Sequence, residues 1–269
     1  MSSVDHVSRS GKPAVVAHRG ASREAAEHTA KAYELALAQG ADGLECDVRM
    51  TSDHQLVCIH DRTVDRTSDG TGVVSEMSLA QLRELDFGSW HADGKPAQIL
   101  TLRELLTLTL DWRRPVRLFI ETKHPVRYGS LVEQAILETL QEFGVATPPS
   151  ADHSRAVVIS FSSAGVWRIR RNAPMLPTIL LGETSRYLGG GAATTVGATA
   201  VGPSIATLRE HPELVDRAAA QGRAMYCWTV DHYEDVEFCR DIGVGWIATN
   251  HPGRTKGWLQ NGLTGAGRD

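Results

Sequence analysis

Short β-rich runs alternate with helical patterns along this chain. The runs are AVVAH (14–18), GLECDV (43–48), VRLFIET (116–122), AVVIS (156–160), TILL (178–181), ATAVG (198–202), AMYCWTV (224–230) and GWIAT (245–249). This alternation restricts the fold more than any other feature, because strands separated by helices pair in parallel through crossovers. A helix is expected around 27–39, ending at Gly40, and another from about 130 to 143. HPELVDRAAAQG and YEDVEFCRDIG read as two more, each closed by a glycine that suits a C-cap. One run breaks the series. LVCIH (56–60) follows LECDVRM after only about five residues, and a parallel crossover needs about a dozen, so this return must be antiparallel. Treating it as a hairpin arm leaves eight parallel strands. The expected fold is therefore α/β: a distorted (β/α)8 TIM barrel with a small insertion after a β-hairpin extension of strand two. An open doubly wound sheet is the other architecture compatible with the pattern.

Residues 62–115 form an excursion where one helix would suffice. DRTVDRTSDGTGVVSEM reads as loops and turns, SLAQLRELDFG as a short helix capped by Ser78 and stopped by Gly88, and TLRELLTLTLDW as the helix returning to the barrel. The expected organisation is a single barrel domain over 14–258 containing that insertion, with flexible ends at 1–13 and 259–269.

The 269 residues are 42% hydrophobic and 22% charged with a net charge of −4, which gives no general attraction to nucleic acid but leaves room for a local basic phosphate pocket. No window approaches the ~18 consecutive apolar residues of a membrane span. The opening MSSVDHVSRSGKP lacks the apolar centre of a signal peptide, so a cytoplasmic protein is expected. Cys46, Cys58, Cys227 and Cys239 lack CxxC spacing and are expected as reduced, partly buried thiols; a Cys46–Cys58 bridge across the hairpin is the alternative.

In a parallel barrel the active site forms at the C-terminal ends of the strands. Strand one ends with His18, Arg19 and Gly20. Strand two carries Glu45 and Asp47, two residues apart and so on one face. The hairpin return ends with His60 and Asp61, strand three carries Glu121 and Lys123 on one face, and strand seven ends with Trp228. Carboxylates gathered at one rim are unfavourable unless a cation sits between them. Glu45, Asp47 and Glu121 supply hard oxygen ligands suited to Mg²⁺ or Ca²⁺. Arg19 and Lys123 would balance the remaining charge and hold an anionic substrate group. His18 and His60, ordinary pKa ~6.5, suit a general acid/base pair. Each residue alone has a plainer reading: Glu45 and Asp47 as partners of Arg19 and Lys123 without a metal, His18 as a structural histidine, Trp228 as core. Independent structural charges would not all fall at one rim, and the coincidence favours a site.

The ordered set HRGAS, GADGLECDVRMTSD, LVCIHD, FIETK, VVISF, YCWTVD and IATNHPG resembles the glycerophosphodiester phosphodiesterase family over roughly residues 14–253, and the segment after His60–Asp61 is similar to that family's small insertion. The resemblance implies a distorted TIM barrel, His18 and His60 as the acid/base pair, and Glu45, Asp47 and Glu121 as ligands of one divalent ion. It further implies Arg19 and Lys123 as phosphate contacts, Trp228 in the substrate pocket, and Glu27 near the site. The chain departs from the family pattern where PENT reads Ala26-Glu27-His28-Thr29, where the hairpin turn reads Asp53–His54, and where a proline before the returning helix reads Leu100.

The implied reaction is metal-dependent hydrolysis of a glycerophosphodiester, such as glycerophosphocholine or glycerophosphoethanolamine, to glycerol 3-phosphate and an alcohol. The expected partner is thus a small-molecule diester. Which histidine is the acid, and whether water or the substrate's glycerol hydroxyl attacks, stay open at this level. Three other readings use the same residues: a phospholipase-D-like hydrolase of lysophospholipids, a glycosidase built on Glu45 and Glu121, and a non-catalytic phosphodiester-binding barrel.

Overall fold

A computed structural model describes residues 11–189 and 191–260. Eight strands, β1 (Ala14–His18), β2 (Gly43–Met50), β4 (Arg117–Thr122), β5 (Ala156–Ser160), β6 (Thr178–Gly182), β7 (Ala200–Pro203), β8 (Ala224–Cys227) and β9 (Trp246–Thr249), pair in parallel. The β1–β2 pairing closes the ring, so the sheet is a TIM barrel rather than an open doubly wound sheet. The ninth strand, β3 (Leu56–Cys58), runs antiparallel to β2. Val48 pairs with Thr122 of β4 and with Cys58, so β3 takes the edge of β2 that β1 leaves beyond Glu45. The hairpin is therefore an upward extension of one barrel strand.

Period-two alternation divides the strands between two environments. Val16, Phe119, Ile159, Leu181, Tyr226 and Ala248 fill the barrel interior. Leu44, Cys46 and Val48 point outward into the layer covered by α1 (Ala30–Ala38), α3 (Leu102–Leu110) and α4 (Leu131–Glu142). Glu121 lies two residues beyond Phe119 on the inner face, so the acidic groups rest directly on the apolar plug. The insertion has its own small core of Val57, Ile59, Val64, Val74, Leu82 and Phe87. Within it, α2 (Leu79–Leu82) starts at a capping box of Ser78 and Gln81.

The structure moves several expected boundaries. The helix expected from 27 begins at Ala30, with Thr29 as N-cap accepting from the Ala32 amide. His28 is left-handed (φ 61°), a conformation no helix accommodates, and it turns residues 27–29 toward the strand ends. The strand expected over 56–60 stops at Cys58, although the Ile59 amide still bonds the Asp47 carbonyl. The strand expected over 224–230 stops at Cys227. The last described helix (Pro252–Gln260) includes residues 259 and 260 of the tail expected to be flexible. The remainder of that tail, 261–269, and residues 1–10 of the expected N-terminal tail lie outside the described residues. At the hairpin turn His54 adopts φ 60°, where the family pattern has glycine. All four cysteines are buried and unbridged. Among the described residues no helix is long and apolar enough to cross a membrane.

Candidate active site

The C-terminal ends of the strands enclose a cavity of about 340 Å³ whose wall includes His18, Arg19, Glu45, His60, Glu121, Lys123 and Trp228. Gly20 (φ 85°) lets the chain leave β1 tightly, since a Cβ there would lie 2.7 Å from the Ala32 backbone. The preceding Arg19 is also left-handed (φ 59°), which turns its amide to donate to Glu45 Oε2 at 3.0 Å. A non-glycine residue held in this region costs energy, and such strain collects at functional sites.

Glu45, Asp47 and Glu121 are buried, and one carboxylate oxygen from each lies within 4.8 Å of the others. Three nitrogens converge on Asp47: Arg19 Nε is 3.1 Å from Oδ2, Lys123 Nζ 3.1 Å from Oδ1, and His28 Nε2 2.9 Å from Oδ2. Burial works to raise the Asp47 pKa, but the His28 hydrogen bond with the charges of Lys123 and Arg19 holds it well below the usual carboxylate range. The other two carboxyls go the opposite way. Burial, then Asp47 and Glu121, push Glu45 well up. Burial and Asp47 push Glu121 up to about 7 despite Lys123 Nζ at 2.7 Å from its Oε1. The ion pairs expected of a purely structural network are thus present, yet they leave two of three crowded carboxyls short of positive charge. Three close oxygen donors in that condition fit a hard divalent cation.

Both histidines sit in the cavity wall with Nδ1 engaged. Asn250 donates through Nδ2 to Asp231 Oδ2 (2.6 Å) and through its amide to Asp231 Oδ1 (2.8 Å). Its Oδ1 must therefore be the atom 2.8 Å from His18 Nδ1, which fixes Nδ1 as the protonated nitrogen and leaves Nε2 as a lone pair for the cavity. Burial, helped by Arg19, lowers the His18 pKa to about 4. His60 Nδ1 lies 2.7 Å from Asp61 Oδ1, and Arg66 Nε donates to the other Asp61 oxygen at 2.6 Å. Burial also lowers His60, while Asp47 and Asp61 act to raise it.

Glu27 is not in the cavity wall. It bonds Arg19 Nη1 at 3.1 Å and Arg66 Nη1 and Nη2 at 2.9 and 2.8 Å. Against the upward push of burial, the Arg66 hydrogen bonds and nearby positive charge lower its pKa to about 2. Glu27 so orients Arg19 and, through Arg66, the Asp61–His60 pair. Trp228 does line the cavity, with Nε1 donating to the Gly202 carbonyl, and meets Phe161 edge-on at 5.3 Å between ring centroids. His28, which replaces the family's asparagine, joins Tyr33 Oη (2.8 Å) to Asp47.

Strand phase alone directs the three carboxylates, the two histidines, Arg19 and Lys123 to this rim, whereas Glu27, which the resemblance implies as a substrate or phosphate contact, instead stands behind Arg19; the sequence assigns no role to Asn250, Asp231 or Arg66. Asn250 lies within the quoted IATNHPG, yet no spacing rule links it to a histidine 232 positions away.

A family model described as glycerophosphoryl diester phosphodiesterase family matches residues 18–254. A Mycobacterium tuberculosis protein named "Probable glycerophosphodiester phosphodiesterase 1" is 64% identical over 258 residues, covering 94% of each chain. A glycerophosphodiester phosphodiesterase of Caldanaerobacter subterraneus is 31% identical, covering 90% of this chain and 95% of its own. The crystal structure of a glycerophosphodiester phosphodiesterase from Agrobacterium tumefaciens superposes with a TM-score of 0.74 at 25% identity, covering 91% of this chain and 99% of that one.

Proposed function

This chain belongs to the glycerophosphoryl diester phosphodiesterase family and is a phosphodiester hydrolase, and from that premise we propose that it cleaves glycerophosphodiesters with His18 as general base and His60 as general acid. The observation that carries the assignment is the unequal support of two imidazoles in one cavity wall. Burial and the Arg19 charge keep the His18 ring uncharged, and its Nδ1–H, bonded to the neutral Asn250 oxygen, leaves Nε2 free to accept a proton. Burial lowers the His60 pKa, but its Nδ1 faces the Asp61 carboxylate, which works against that lowering and supports the imidazolium an acid must carry, a support His18 lacks.

Arg19 and Lys123 flank the position of the phosphoryl group. Arg19 Nε is buried, and although near Asp47 it has no well-aligned hydrogen-bond acceptor, a donor available to a phosphoryl oxygen. Glu45, Asp47 and Glu121 would hold one Mg²⁺ or Ca²⁺, which when bound supplies Lewis-acid neutralisation of phosphoryl charge. His18 Nε2 takes the proton of the attacking oxygen as the new P–O bond forms, whether that oxygen is water's or the glycerol hydroxyl's, the latter giving a cyclic phosphate that water opens in a second step. His60 Nε2–H protonates the oxygen that leaves as the old bond breaks, giving glycerol 3-phosphate and the free alcohol. Trp228 and Phe161 wall the side toward the organic group. A cavity of about 340 Å³ suits a headgroup-sized diester such as glycerophosphocholine or glycerophosphoethanolamine rather than one carrying an acyl chain as well.

Leaving-group dependence tests the roles. With an alcohol substrate, His18→Ala and His60→Ala should each lose ~10²–10⁴ in turnover. With a p-nitrophenyl diester, whose leaving group needs no proton, the His60→Ala loss should largely disappear while that of His18→Ala persists. Rescue of the His18 variant instead would reverse the assignment, and near-normal rates in both would remove it.

A further inference from the structure

A second cavity, of about 300 Å³, lies beside the end of the hairpin strand β2. It is bounded by β2, the single 3₁₀ turn Val74–Glu76 of the insertion, and the loop between β4 and α4. It shares no lining residue with the catalytic cavity. Three arginines, Arg49, Arg62 and Arg127, face it, against one carboxylate, Glu76. Tyr128, whose hydroxyl donates to the Ser75 carbonyl at 2.8 Å, ties its two walls together.

The charge around this cavity is poorly balanced. Arg127 meets Glu76 at 3.3 Å, but both side chains are more than half exposed and such a pair contributes little. Arg62 is exposed and makes no side-chain hydrogen bond or ion pair among the described residues. Arg49 is half-buried, and its one side-chain hydrogen bond runs from Nε to the His60 carbonyl at 2.9 Å. The carboxylates within electrostatic reach of Arg49 are committed elsewhere: Asp47 to Arg19, Lys123 and His28, Glu121 to Lys123, Asp61 to His60 and Arg66. Like charges gathered round a concave, partly dry space are unfavourable until an anion enters. A guanidinium presents its donors as a planar fork matched to phosphate oxygens.

We propose that the Arg49–Arg62–Arg127 cavity is a second anion site that binds a phosphate group, separate from the site where the diester is cleaved. The phosphate has two sources with the same chemistry. It is either a distal phosphate on a substrate whose alcohol is itself phosphorylated, or free inorganic phosphate. Binding at this site does not depend on the histidine assignments above.

The test is calorimetric titration of the metal-loaded protein with inorganic phosphate, for the wild type and for the double variant Arg62→Gln, Arg127→Gln. Both side chains are exposed, so the barrel should be undisturbed. The expected result is two equivalents of phosphate per wild-type chain and one in the variant, the second site weakened ~10–100-fold by the loss of charge-assisted hydrogen bonds. Unchanged stoichiometry and affinity in the variant would overturn the proposal, as would a single equivalent in the wild type. Kinetics then separates the sources. A higher KM in the variant for a diester with a phosphorylated alcohol, at unchanged KM for glycerophosphoethanolamine, identifies the substrate's own phosphate. Loss of the second equivalent with neither KM moving identifies free phosphate.

Discussion

Replacing Asn250 with leucine removes the acceptor that fixes the His18 tautomer while leaving every proposed catalytic atom in place. Two observations set the size of the effect. The His18 Nδ1–Asn250 Oδ1 bond is 2.8 Å long and partly buried, and Asn250 is locked by two bonds to Asp231 and so cannot be replaced by a simple amide flip. A buried donor left without its partner costs about 1–3 kcal/mol. At 1.36 kcal/mol per decade this is about 5–150-fold in kcat/KM, less than the ~10²–10⁴ expected for removing the base itself. The assay is release of glycerol 3-phosphate from glycerophosphoethanolamine, with thermal unfolding as a control on folding. The double variant Asn250→Leu, His18→Ala should be no slower than His18→Ala alone, because Asn250 reaches the chemistry through the imidazole, while the loss of its bonds to Ser22 and Asp231 is read by the unfolding control. Wild-type activity in Asn250→Leu would refute the relay, and so would losses that multiply in the double variant.

Millimolar Mg²⁺ or Ca²⁺ should raise the Tm of the wild type by about 5–10 °C if present near 100 times its Kd, and should leave Glu121→Gln nearly unmoved; equal shifts in both proteins would take Glu121 out of the ligand set. Because Glu121 carries a pKa of about 7, a cation must displace its proton at lower pH. With Glu45 raised as well, apparent affinity should fall by about ten- to a hundredfold per pH unit below 7, and titrations in two buffers should register proton release near neutrality. A pH-independent affinity would contradict this. Arg66→Ala frees both Glu27 and Asp61, so turnover should fall well short of the His60→Ala loss while pairing Arg66→Ala with Asp61→Asn should add little; multiplicative losses would separate the two residues. Phe161→Ala removes an edge-on ring contact worth about 0.5–1.5 kcal/mol and should raise KM roughly 2–13-fold at nearly constant kcat; a fall in kcat alone would place Phe161 in the chemistry.

The barrel was legible because its periodicity is local. The five-residue gap after Met50 could not hold a parallel crossover, and that alone separated the hairpin arm from the eight barrel strands. The same two-residue period set Glu45 with Asp47 and Glu121 with Lys123. Boundaries failed where a site residue overrode propensity. Residues 27–39 read as one helix, and only the left-handed turn at His28, which carries that ring to Asp47, shows why residues 27 and 28 stand outside it.

By itself the sequence determined which residue types reach the rim, since strand phase and loop length are written along the chain. Only the tertiary structure decided how they are charged and shared. Asp47 draws Arg19 and His28 from the segment that follows β1 and Lys123 from the end of β4, which leaves Glu45 and Glu121 raised. Asn250 meets His18 because β9 closes the barrel against β1, and the three arginines of the second cavity converge from β2, the insertion and the β4–α4 loop. Burial and charge proximity depend on distances between segments far apart in sequence, and those distances exist only once the ring has closed.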